Sequence, residues 1–180
     1  MFVGMIATIV LAFGGTASAQ NDDNHGWTVS TSSEGPIPFT IVAGNGPNEC
    51  PNLPAGVTVS GSAFINHVVK TRIDRGGILH VIDRAESNGV ATGNGNTYQY
   101  SYDNVVRAKN SLSDQSTIVG TMKDAFTLKL GHRTVLHNGF LAHGTFGPGA
   151  PGGLGFYLVP IYEFGDPFNF PNGGGRCDPI

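Results

Sequence analysis

Residues 64–83 read FINHVVKTRIDRGGILHVID. Apolar and polar residues alternate on both sides of Asp74-Arg75-Gly76-Gly77, the pattern of two antiparallel strands joined by a tight turn. An even-numbered loop puts His67 and His80 on one face with Ile65, Val69, Ile73, Ile78 and Ile82, offset by four residues along the strand. At the strand rise that is roughly 13 Å of backbone. An odd-numbered loop shifts the register by one and sends the two histidines to opposite faces. In neither register do they share a metal, whose ligand nitrogens lie about 2 Å away. Each is expected as a separate polar group inside or at the rim of a β structure.

The same reading extends outward. No window holds a sustained helical apolar period, and turn residues recur every ten positions or so. Candidate strands are 27–31, 37–43, 57–73 (with a bulge or bend at Gly61), 78–84, 97–108, 116–131 as one bent strand or two, and 154–164. RTVLH (133–137) and FLAHGTF (140–146) flank Asn138-Gly139, a strong hairpin signal because a type I′ turn needs two positive φ angles. That hairpin would set His132 and His143 on one face, one diagonal step apart, the best-placed pair for metal or acid–base work. Two ligands do not complete a zinc site, so no metal or other cofactor is expected. Pro160 lacks an N–H, which assigns the last strand to a sheet edge. The fold class expected is all-β: an antiparallel barrel or sandwich of about eight strands in a single domain spanning 20–180.

Gly147–Gly153 reads as a flexible link. The following segment, 154–180, carries Phe156, Tyr157, Tyr162, Phe164, Phe168 and Phe170. These rings either cover one face of the barrel or offer an aromatic surface to a glycan or a partner. At the other end, an apolar run closes on Ala17-Ser18-Ala19, the small-x-small pattern of a signal-peptide cleavage site. Residues 1–19 are therefore expected as a signal peptide, although no Lys or Arg precedes the apolar run. The mature chain would begin at Gln20 and act in a secreted, periplasmic or extracellular setting, with no transmembrane segment after cleavage. Cys50 and Cys177 are the only cysteines, which in an exported chain reads as one disulfide. Net charge is −3 and no basic run occurs, so nothing points to nucleic acid.

The stretch from Cys50 to Gly144 resembles a group of uncharacterised secreted bacterial all-β proteins. The carrying motifs are Asn48-Glu49-Cys50, VTVSG (57–61), GGILH (76–80), GNTY (95–98), HRTVLHNG (132–139) and the late Cys177. The chain departs from that group in reading PNLPAG after Cys50, where a Gly-Glu is usual, and in its longer aromatic C-terminal segment. The resemblance implies secretion, a barrel-like fold and a cysteine pair; it implies no activity.

Known catalytic patterns are missing. There is no Gly-x-Ser-x-Gly elbow, no phosphate-binding loop and no His-Glu-x-x-His. GNGNTY (93–98) opens no helix and reads as a turn. Most carboxylates, Asp83 and Asp124 among those weighed, read as loop-solvating groups. The expectation is a non-catalytic exported domain that binds a small apolar or glycan ligand or acts at the cell surface. The alternative is an isomerase- or cyclase-like barrel enzyme acting on a lipid-like or phenolic substrate, with His67, His80, Tyr98 and Tyr100 as its polar groups. A third reading uses the edge strand for assembly by strand addition.

Overall fold

The computed structural model describes residues 20–165, apart from 23–25, 44–49, 51, 55, 111–116 and 153–154. The expected signal peptide, Cys177, Phe168 and Phe170 lie outside the described residues. Eight antiparallel strands form one sheet in simple chain order. They are β1 (Gln20–Asp22), β2 (Trp27–Val42), β3 (Thr58–Ile73), β4 (Leu79–Gly93), β5 (Asn96–Asn110), β6 (Ile118–Leu130), β7 (Arg133–Phe146) and β8 (Phe156–Gly165). No helix among the described residues is long and apolar enough to cross a membrane.

The all-β expectation holds, but neither a closed barrel nor a two-sheet sandwich is present. Among the described residues β8 pairs only with β7, so the sheet stays open at that edge. It is nevertheless rolled. Phe39 on β2 and Phe126 on β6 have ring centroids 5.8 Å apart. Four strand spacings on a flat sheet would separate their backbones by about 19 Å. Tyr100 on β5 packs edge-on to Phe39 at 4.9 Å. The inner side of the roll therefore holds the core, and strict alternation decides what enters it. On β3 the odd positions from Val59 to Ile65 face inward, and on β5 the even positions from Tyr98 to Ala108 are all buried. Burying side chains of this size is worth about 1.5–3 kcal/mol each.

Glycine does a different job from the one its abundance suggests. Several of the 27 glycines sit in mid-strand, directly opposite an aromatic ring. Gly61 pairs with Phe39, Gly89 with Tyr100 and Gly139 with Phe164. A Cβ on Gly89 would lie 2.7 Å from the Tyr100 ring, and one on Gly61 would meet the Phe39 ring. Each glycine thus lets a cross-strand ring lie flat across its backbone. At Gly89 the consequence reaches a third strand. The Tyr100 hydroxyl crosses β4 and donates to the Ser62 carbonyl at 3.0 Å. It does so where the β3–β4 ladder is interrupted, between the Gly61–Ala91 and Asn66–Glu86 pairs. Gly61 is therefore a packing position and not a bulge. The bulge lies on β2 between Glu34 and Ile37, so 27–31 and 37–43 belong to one strand.

Asn138-Gly139 is not a turn. It lies inside β7, which runs unbroken from Arg133 to Phe146. Asn138 is 2% exposed, and a Cβ on Gly139 would strike the Asp124 carbonyl and the Phe164 ring. The Asn-Gly hairpin rule applies instead at Asn94-Gly95, with φ of 49° and 74° between the paired Gly93 and Asn96. The β6–β7 turn is at Gly131-His132, flanked by the Leu130–Arg133 pair. The 64–83 hairpin closes on the Ile73–Leu79 pair, so its loop has the odd length and His67 and His80 face opposite ways. The stretch expected as a link is the β7–β8 hairpin connection, held by Gly147 N–H to Gly155 O at 2.8 Å. Pro160 does lie in the edge strand. Cys50 is fully buried, and no free cysteine occurs among the described residues.

Candidate functional site

The inner face is apolar at two places and polar between them. One cluster gathers Phe39, Ile41, Val59, Tyr98, Tyr100, Phe126 and Leu128. The other gathers Val106, Met122, Phe140, Ala142, Phe146 and Leu158. One register row across the sheet reads Ser32, His67, Ala85, Asn104, Asp124, Phe140 and Glu163. Asp83, Ser87, Tyr102 and Asn138 occupy neighbouring inward positions and are all buried. The strands thus carry a polar belt across the concave side.

Asp124 is its most constrained member. The Tyr102 hydroxyl and the Asn104 amide both donate to Asp124 Oδ2, each at 2.8 Å. Burial pushes the Asp124 carboxyl up to about 6, against the opposing pull of those two donors. The same burial, together with the nearby Asp124 charge, raises the Tyr102 phenol well above its ordinary value. Tyr102 is therefore a fixed proton donor across the physiological range. Asp124 still keeps part of its surface in contact with solvent.

His67 anchors the other end of the belt. Its Nδ1 lies 3.3 Å from Asp83 Oδ1, and its Nε2 lies 3.5 Å from Glu34 Oε1. Hydrogen bonding to Asp83 is the largest cause of its raised pKa, opposed by burial and supported by the charges of Asp83 and Glu34. A raised histidine favours the folded state most below the unfolded value of 6.5. That contribution is lost as pH rises through the folded value.

The other residues singled out in the sequence do not join this belt. His80 Nε2 donates to Asp74 Oδ2, 2.9 Å away, while Asp74 Oδ1 accepts from the Gly76 and Ile78 amides. That makes His80 a clamp on its own loop, and its bond is the leading cause of the lowered Asp74 pKa. Tyr98 and Tyr100 are 2% and 4% exposed in the apolar cluster, so neither ring offers a free face. His132 lies in the β6–β7 turn and His143 is exposed near the far end of β7. Ten or so strand residues separate them, about 33 Å, so the diagonal pair is not formed. No group of three metal-ligating side chains occurs among the described residues. On β8, Tyr157 and Tyr162 are exposed, while Phe156 packs against the second apolar cluster.

Sequence reasoning missed Asp83, Tyr102, Asn104 and Asp124 as a group. A signal was present: Asn104 interrupts the inward series Tyr98, Tyr100, Tyr102, Val106, and Asp124 interrupts Met122, Phe126, Leu128. Comparison with family models, curated proteins and solved structures finds no match for this chain.

Proposed function

We propose that this chain is an exported, non-catalytic domain whose rolled sheet binds a small molecule on its inner face. The observation that carries the reading is the polar belt set between two apolar clusters on the concave side. Ligand sites are concave and mostly apolar, with a few placed polar groups. The belt is reachable, since the His67 and Glu34 side chains keep 21% and 36% of their surface exposed. Nile red, a neutral apolar dye, is expected to bind with a blue-shifted emission and about one site per chain. Emission unchanged from free dye at tens of micromolar protein would remove the reading.

Export, the Cys50–Cys177 disulfide and kinship with the secreted all-β group belong to the same proposal. Intact mass of the secreted protein, with and without reductant, is expected to start at Gln20 and to show the bridge. A mass that retains residues 1–19 would contradict the export step.

A second reading, an isomerase- or cyclase-like enzyme on a lipid-like or phenolic substrate, has one observation in its favour. Asp124, with a carboxyl near 6 beside the Tyr102 hydroxyl, is suited to proton transfer near neutral pH. That reading requires chemical conversion of a bound lipid-like or phenolic compound, which mass spectrometry of the recovered ligand detects.

A further inference from the structure

We propose that the inner-face site takes the amino group of a small amphipathic amine on the Oδ1 oxygen of Asp124. The inference rests on the reading of the concave side as a ligand site and names the ligand's head group. Three observations carry it. First, the two oxygens of Asp124 are used unequally: Tyr102 and Asn104, both buried, donate to Oδ2. No hydrogen bond reaches Oδ1 among the described residues, and Oδ1 is not among the sealed-off atoms that lack a partner. An oriented carboxylate therefore presents one free, solvent-reachable acceptor on the inner side of the sheet.

Second, Asp124 has no cation beside it among the described residues, whereas Asp83 is answered by His67. The sheet parity explains this. Lys70, Arg72, Arg84, Arg107, Lys109 and Lys123 all occupy outward positions on β3 to β6. An interior carboxylate is stabilised by a partner charge brought to it, and none stands beside Asp124 among the described residues. Third, the apolar clusters that hold Phe126 and Phe140 flank Asp124 on either side, so the head group must come on an apolar body. A carboxylate ligand would meet repulsion here.

Three probes of one shape separate the cases: 1-naphthylmethylamine, 1-naphthylmethanol and 1-naphthoate, titrated at pH 7.5 by fluorescence into the full mature chain. The amine is expected to bind at least tenfold tighter than the carboxylate, with the alcohol between. Asp124→Asn keeps the shape of the side chain and one acceptor oxygen for Tyr102 and Asn104 but replaces the other oxygen with an N–H donor, and is expected to bring the amine and the alcohol within about threefold of each other. Glu86→Gln, which removes a carboxylate from the outer side of β4, is expected to leave the amine preference in place. Binding of all three probes with equal affinity, or an amine preference that survives Asp124→Asn, would overturn the head-group assignment while leaving the ligand site standing. Failure of all three to bind would overturn both.

Discussion

Asp124→Asn is expected to make the protein more stable at pH 8, and to remove most of its loss of stability between pH 5 and pH 7. The Asp124 carboxyl has a folded pKa of about 6 against an ordinary value of 3.8. The folded state therefore holds that proton more tightly than the unfolded chain. Its contribution is full below the unfolded value and is gone once pH has risen through about 6. A gap of about 2 units corresponds to about 3 kcal/mol. Asparagine keeps an oxygen for the Tyr102 and Asn104 donors without carrying the charge that burial opposes. The variant should melt up to roughly 6–12 °C higher at pH 8, by the usual conversion for a chain of this size. A smaller slope should persist above pH 6.5 because His67 titrates in the same sense. Thermal melts of both proteins at half-unit pH steps check this, and parallel profiles would contradict it. A stabilising replacement that costs binding is the usual form of a stability–activity trade-off. That is why this prediction and the amine proposal stand or fall on the same side chain by different readouts.

Gly89→Val is expected to cost about 2–4 kcal/mol, the sum of overpacking and of a part-buried carbonyl left without its donor. The new side chain would occupy the space in which the Tyr100 ring lies across β4. Moving the ring withdraws its hydroxyl from the Ser62 carbonyl and from Ser87. Phe39 and Phe126, which pack against the same ring, would shift too. On a total stability of about 5–15 kcal/mol this is a large fraction, and a fall in melting temperature of roughly 10 °C follows. Tyr100→Leu should recover part of the loss in the double variant, because it empties the contested space. A Gly89→Val protein within about 0.5 kcal/mol of the parent would show that the ring-over-glycine contact does not hold the roll together.

The strands were legible because alternation is a strong local signal. TYQYSYDNVVRA alternates as its buried even positions require, and Pro160 marks the edge strand through its missing N–H, whereas in LHVIDR the face with His80 and Ile82 is the outer one and Val81 and Asp83 point inward. Two things were not legible. The pair Asn138-Gly139 has turn chemistry, but Asn138 is an inward member of the belt and Gly139 admits the Phe164 ring. Both demands come from neighbouring strands and leave no trace in the local sequence. The open edge of the sheet was equally hidden, since strand count does not state whether the first and last strands meet. The polar belt is half visible in the sequence: His67 is a candidate there, and it faces the inner side beside Asp83. Asp83 and Asp124 stay unassigned among the carboxylates, because their inward parity is recognisable only once the strand register is known.

Asp124 is proposed as an inward-facing acceptor held ready for a ligand. Carbon-detected NMR of protein labelled at the aspartate carboxyl carbons, with Asp124→Asn to assign the resonance, tests it most directly. The account predicts a titration midpoint for Asp124 near 6 and a shift of both midpoint and resonance when 1-naphthylmethylamine is added. A midpoint near 4, unmoved by the amine, would contradict it.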